Sequence, residues 1–288
     1  MGLARITVVV IGVLLSAAAT FGAPSAQPIG PGLYAYISDN DSSANATFLV
    51  GEKAILVVDT GLNEVEGRKL LKTIRAVSTL PIKYVVNTHY HPDHQGGNAT
   101  VGPDAIVITT DFTRDRTLAM SNSPAMANLH LHLAQLTFEK QLTLHIDPYV
   151  AQVFFSGKAH TSGDAMVYFP QQRAIAMGDL FLNRSSPAMD DGSVESWIQI
   201  LGHVLSLPLD HVVPGHFELA TKADLQRFHD YLSDLYLQVV DLKKRGDTLE
   251  QIQHNLHMEK YADFRQYPKY EATFSDNAAV IYQQLQAR

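Results

Sequence analysis

Three histidines and one aspartate stand within six positions of this chain, in Thr88-His89-Tyr90-His91-Pro92-Asp93-His94. Imidazole nitrogens and carboxylate oxygens are the donors that bind divalent first-row metals. The cluster directly follows an apolar run, Ile82-Lys83-Tyr84-Val85-Val86, so one strand delivers several donors to one point. Pro92 stiffens the turn between the second and third histidine by fixing its own φ. A terminal tag or a chance surface grouping would lack the adjoining buried-type strand and the carboxylate.

Three further segments share this form, a β-prone run that meets glycine or proline and then a His or Asp. Val150-Ala151-Gln152-Val153-Phe154-Phe155 leads to His160-Thr161-Ser162-Gly163-Asp164. Ala174-Ile175-Ala176-Met177-Gly178 leads to Asp179, and His211-Val212-Val213-Pro214-Gly215 leads to His216. Donors at the tips of successive strands converge on one edge of a layered α/β fold.

This pattern resembles the metallo-β-lactamase superfamily over roughly residues 30–220. His-x-His-x-Asp-His is complete at 89–94, followed in order by His160 in His-Thr-x-Gly-Asp, Asp179 in Gly-Asp and His216 in Pro-Gly-His. Asp59 lies in an early Asp-Thr-Gly. The resemblance implies a four-layer αββα sandwich with a helical C-terminal segment. It also implies two metal positions: His89, His91 and His160 at the first, Asp93, His94 and His216 at the second, and Asp179 bridging. Two metals ~3.5–4 Å apart can share a hydroxide and clamp the attacking and leaving atoms. Asp93 is then also the catalytic group that holds and returns the proton. Asp59 and Asp164 read as carboxylates that accept the other ring N–H of a ligating histidine, or else as turn aspartates.

The chain has no cysteine. The cysteine ligand of one group of class B β-lactamases is therefore impossible, and a bridging Asp179 resembles the ligand set of glyoxalase II. Zinc is the expected metal, two ions per chain. An all-N/O site also admits iron or manganese. The implied activity is a hydrolase in which metal-held hydroxide attacks an ester, thioester or lactam carbonyl. Three other readings stay open. One is a class B β-lactamase proper, and one is a metal-carrying module without turnover. The third is a persulfide dioxygenase with one iron on His89, His160 and Asp179. Asn183 and Arg184 follow Asp179 closely and are expected to contact an anionic substrate.

Residues 1–5 are short and positively charged, residues 6–19 are apolar, and small residues follow, with cleavage expected after Ala23 or Ala26. This reads as a secretory signal over 1–26 and places the mature chain in a bacterial periplasm. The competing reading is an uncleaved anchor, for which the apolar stretch is short against a span of ~20 residues. No stable membrane insertion is expected after cleavage. About 262 residues then remain, enough for a catalytic domain over 27–222 with a helical extension over 223–288 packed on it. The 46% hydrophobic and 18% charged composition is ordinary for a globular protein. Net charge is −7, and no basic run exceeds Lys243-Lys244-Arg245. This argues against nucleic acid as a partner and for a small-molecule substrate.

Runs 34–37, 46–50 and 54–58 read as strands. Residues 63–78 read as a helix that Asn63 caps and along which Leu70, Leu71, Ile74 and Val77 recur. Residues 110–140 form an insert in which Ser121-Asn122-Ser123-Pro124 divides two helical pieces, expected over the mouth of the site. His130 and His132 within it sit at i and i+2, which share no helix face. His145, His203, His211, His229, His254 and His257 have no motif context. Residues 193–205 read as a helix with Trp197 in the core. Leu225, Phe228, Leu232, Leu235, Val239 and Leu242 step by three or four and define another helix. Gly246 ends it, and Thr248-Leu249-Glu250-Gln251 starts the next with a capping box. There is no His-Glu-x-x-His, no phosphate-binding glycine loop and no Gly-x-Ser-x-Gly.

Overall fold

Strands β3 (Ala46–Val50) and β4 (Ile55–Val58) are buried along almost their whole length. They have no polar face because both faces of their sheet are covered. Phe48, Ile55 and Val57 turn outward to helix α1 (Glu64–Val77) with its Leu70 and Ile74. Leu49, Leu56 and Val58 turn inward. The computed structural model describes residues 26–124, 126, 129, 132–189, 191–266 and 273–287.

The first sheet has the order β1-β2-β3-β4-β5-β6-β7. Its other strands are β1 (Ala26–Gly30), β2 (Leu33–Tyr36), β5 (Ile82–Val86), β6 (Ile106–Thr110) and β7 (Leu136–Phe138). From β4 onward its strands run parallel. The second sheet has the order β12-β11-β10-β9-β8. It comprises β8 (Gln141–Ile146), β9 (Tyr149–Phe155), β10 (Ala165–Phe169), β11 (Ala174–Ala176) and β12 (His211–Val213). Val153, Val167, Phe169 and Val213 face the inner residues of the first sheet in one core. Met166, Tyr168, Ile175 and Val212 face outward to a larger one. That outer core is closed by α5 (Val194–Leu205), α6 (Lys222–Lys244), α7 (Leu249–His254) and α8 (Phe274–Gln286). The result is the four-layer αββα sandwich.

The short helices α2 (Pro92–Gln95) and α3 (Asn98–Val101) follow β5, and α4 (Asp111–Met120) follows β6. Asn63 caps α1 through Val65 N and Glu66 N. Ser193 caps α5, and Trp197 lies fully buried with its Nε1 donating to the Leu180 carbonyl at 2.9 Å. The α6 stripe is buried from Leu225 to Val239, Gly246 follows at φ +92°, and Thr248 and Gln251 form the capping box of α7.

In the insert, the first expected helical piece is α4, and the second falls largely outside the described residues. Only its first part, α4, is helical among the described residues; the chain turns at residues 121–124 and then enters β7 as a parallel edge strand. His130 lies outside the described residues, and His132 accepts from Asn98 Nδ2 through its carbonyl at 3.3 Å. The expected leader also lies outside them, apart from Ala26, which opens β1 opposite Tyr36. Among the described residues, no helix is long and apolar enough to cross a membrane.

Candidate metal centre

Seven donors reach one edge of the sandwich because four strands end there. β5 runs into His89, His91, Asp93 and His94, the last two on α2. β11 runs into a 3-10 turn over Gly178–Leu180 that carries Asp179, and β12 runs through Pro214 and Gly215 into His216. His160 stands on the connection from β9 to β10. The turn under Asp179 needs glycine twice. Gly178 adopts φ +51°, and a β-carbon there would overlap the Thr88 side chain, as one on Gly215 would overlap Asp179 Oδ1. A Gly215→Ala protein should therefore lose most of its metal, although residue 215 donates nothing. Elemental analysis after dialysis checks this, and a full complement of metal would show that Asp179 is free to move.

The donors form two groups, His89, His91, His160 and Asp179 in one and Asp93, His94 and His216 in the other. In the first, His91 Nδ1 lies 3.0 Å from His89 Nε2 and 3.2 Å from His160 Nε2. Asp179 Oδ2 is 3.5 Å from His160 Nε2 and 3.9 Å from His89 Nε2. Asp179 Oδ1 turns the other way, to 3.1 Å from His94 Nε2 and 3.5 Å from His216 Nε2. Asp93 Oδ2 is 3.1 Å from His216 Nε2. Ligands about 2.0–2.1 Å from a tetrahedral ion stand roughly 3.3 Å from one another, which these separations bracket. His94 Nε2 and Asp179 Oδ1 are buried yet make no hydrogen bond. Two buried polar atoms 3.1 Å apart that lack a hydrogen bond fit a cation between them.

The backs of the rings are held. Asp59 accepts from His94 Nδ1, Thr88 N and Thr88 Oγ1, each at 2.8 Å, which leaves His94 Nε2 free to ligate. Asp59 has φ +57°, a costly conformation for a residue with a side chain. His160 Nδ1 donates to the Ala188 carbonyl at 3.1 Å. Asp164 does not touch a ligating ring by hydrogen bond. Its carboxylate accepts from Thr161 N at 2.7 Å and Thr161 Oγ1 at 2.6 Å, shaping the turn that carries His160. The ring-orienting acceptor there is a main-chain carbonyl, which leaves no mark in a sequence.

The sequence matches the family model described as Metallo-beta-lactamase superfamily over residues 39–216, well over half of the chain. The chain belongs to the metallo-β-lactamase superfamily. It is 27% identical over 169 residues to 2,4-dinitroanisole O-demethylase subunit alpha of Nocardioides sp. (strain JS1661), covering 58% of this chain and 50% of that one. It is 25% identical over 213 residues to Metallo-beta-lactamase type 2 of Elizabethkingia meningoseptica, covering 70% and 82%. Among solved structures, the stereoselective inverting sec-alkylsulfatase Pisa1 from Pseudomonas sp. superposes with a TM-score of 0.73 at 16% identity, covering 91% of this chain and 50% of that one. A metallo-beta-lactamase from Pontibacter korlensis gives 0.62 at 23% identity, covering 73% and 99%. These two likenesses concern the fold. The chain spans about half the length of the demethylase subunit and of the alkylsulfatase.

In this superfamily member the donors polarise one another. Burial, with His160 beside it, pushes His91 down to about 4. Burial and the neighbouring imidazoles also hold His89 well below its ordinary range. Burial opposes charge on His94 as well, but Asp179, Asp59 and Asp93 outweigh it and hold His94 well above the usual value. Burial likewise works against His216, and Asp179 and Asp93 raise it. Burial disfavours the carboxylates of Asp93 and Asp179, yet the imidazoles, His94 first, keep both low.

Five of the donors, His91, Asp93, His160, Asp179 and His216, line a cavity of about 380 Å³, formed with Asp41, Leu62, Leu182, Pro187 and Phe217 among others. Neither Asn183 nor Arg184 lines it. Asn183 is buried and donates to the Glu218 carbonyl at 3.1 Å, while Arg184, at φ +50°, carries its exposed side chain to 3.9 Å from Asp224. The insert contributes no lining residue among those described. One wall is instead tied to the C-terminal helices. Asn277 on α8, fully buried, donates to the Pro187 carbonyl at 2.7 Å and to Ser186 Oγ at 2.9 Å, and Tyr231 on α6 hydrogen-bonds Ser186 Oγ at 2.9 Å.

Proposed function

We propose that this chain is a two-metal hydrolase acting on an ester, thioester or lactam carbonyl. The observation that carries the reading is Asp179, whose two oxygens face different donor groups. Zinc is the proposed metal, with iron or manganese as N/O-compatible alternatives. Two divalent ions held there supply Lewis acidity for water activation and neutralise charge that develops on the substrate oxygen. His89, His91 and His160 hold one, Asp93, His94 and His216 the other, and Asp179 joins them. Asp93 also lines the cavity, where its carboxylate takes the proton of the attacking water and returns it to the leaving atom. Asp59 and the Ala188 carbonyl fix which ring nitrogen of His94 and His160 faces inward. Residues 27–222 form the catalytic portion, and 223–288 complete its outer layer. The mature protein works in the periplasm on a small molecule, without nucleic acid and without a membrane span.

The mononuclear iron alternative uses His89, His160 and Asp179 alone. The intact second group, Asp93, His94 and His216, favours two metals. Metal content of protein purified from its own compartment without added metal separates the readings. Two zinc ions per chain, with turnover of at least one carbonyl ester, thioester or lactam, support the proposal. One iron per chain with oxygen uptake on a persulfide overturns it. Penicillins and carbapenems should be poor substrates, and efficient hydrolysis of either would make the protein a β-lactamase proper.

Metal uptake near neutral pH should release protons. His94 and His216 hold theirs above the ordinary histidine range in the metal-free protein, and a ligating nitrogen must be free. Apparent affinity therefore rises with pH until both are deprotonated, and falls on acidification. Calorimetry of metal binding in buffers of different ionisation enthalpy reads the proton count directly; zero protons released would contradict the raised values.

A further inference from the structure

The cavity beside the donors has apolar walls at Leu62, Leu182, Pro187 and Phe217. Asp41 and Ser42 also line it and are exposed, so they mark its open side. No lysine or arginine lines it among the described residues. Two guanidinium groups beside these walls are already engaged. Arg265 stands over the Phe217 ring at 4.3 Å, with Nη2 2.7 Å from Glu218 Oε1 and Nη1 donating to the Asn183 carbonyl at 3.3 Å. Arg184 points to Asp224.

Phe217 is the second observation. It directly follows the donor His216 and adopts φ +72°, a left-handed conformation that is costly outside glycine. Its carbonyl accepts from Asn45 Nδ2 at 2.8 Å, and Arg265 covers its ring. An aromatic ring held against backbone preference at the wall of a cavity presents a fixed apolar surface.

We propose that this cavity selects substrates that are neutral and apolar beyond the scissile bond, such as alkyl esters and lactones, and rejects those with a further anionic group. This rests on the hydrolase reading above. A carboxylate on the substrate's tail, held away from the metal positions by the hydroxamate or the scissile bond, would lose water against Leu62, Leu182 and Phe217, find no cationic side chain, and face Asp41. An alkyl tail loses only water that it gains by losing.

The test compares two hydroxamates of equal length, hexanohydroxamic acid and the monohydroxamate of adipic acid, titrated calorimetrically into the metal-loaded protein. The neutral tail should bind about tenfold tighter or more. Phe217→Ala should weaken the neutral ligand about tenfold and Phe217→Leu much less, with metal content unchanged in both. Asp41→Lys should strengthen the carboxylate ligand and leave metal content unchanged. Equal or tighter binding of the carboxylate ligand overturns the proposal, as does indifference to both Phe217 variants. Turnover of the matching p-nitrophenyl hexanoate and mono-p-nitrophenyl adipate separates this from the reading beneath it. A binding preference without turnover of either ester leaves the cavity preference standing and counts against the ester branch of the hydrolase reading. Turnover that favours the adipate keeps the hydrolase and removes the preference.

Discussion

An Asp179→Asn protein should hold one metal firmly at most and turn over its substrate about a thousandfold more slowly, which corresponds to about 4 kcal/mol of lost transition-state stabilisation. The substitution keeps shape and volume but leaves a single acceptor oxygen. That oxygen can face His94 and His216, or His89 and His160, but not both. The amide nitrogen, which donates and cannot ligate, must then point at the other group. His91→Ala is the companion variant. It removes one donor of the first group and leaves Asp93, His94 and His216 intact, so it should strip one metal and most of the activity. Metal content and kcat measured side by side decide the matter. Two metals retained in either variant would mean that the donor assignment is wrong.

The second large effect is expected at a residue that touches no substrate. Asp59→Ala leaves His94 Nδ1, Thr88 N and Thr88 Oγ1 buried without their acceptor. Breaking a buried charged pair from one side typically costs about 3–5 kcal/mol. Loss of the group that orients His94 should also weaken metal binding about 10–100-fold. The left-handed backbone at Asp59 allows the two contributions to be separated. Asp59→Gly relieves the strain and still lacks the carboxylate, so it should be more stable than Asp59→Ala in urea denaturation while binding metal as poorly. Equal metal affinity in wild type and both variants would show that His94 is oriented by something else.

The donors were legible because each is a side chain that closely follows a β-prone, largely apolar run. β3, β4 and β5 read as strands for the same reason. β8 was missed because its alternation between exposed and half-buried residues presents no continuous apolar run. Other parts left no trace because they act through the main chain. The Ala188 carbonyl that orients His160 could belong to any residue type. Proximity in sequence does not give side-chain direction at Asn183 and Arg184. They follow Asp179 by only a few positions, yet neither lines the cavity that the flanking Leu182 and Ser186 line; Asn183 turns to the Glu218 carbonyl and Arg184 towards Asp224. The α6 stripe was read from its aliphatic and Phe positions, and Tyr231 was passed over. Its ring lies in the same core, while its hydroxyl reaches out of it to Ser186.

The tie between Asn277 and Pro187 spans 90 positions, and it puts the parts of the centre in a temporal order. By the time His216 has been synthesised, every donor exists and the cation trap is chemically complete. The wall that would enclose it still lacks its anchor, because the side chain that grips the Pro187 carbonyl belongs to the last helix. Until α8 docks, the wall at Ser186 and Pro187 lacks the two Asn277 hydrogen bonds that hold it. Protease cleavage within 186–192, fast before that docking and slow after it, would time the change.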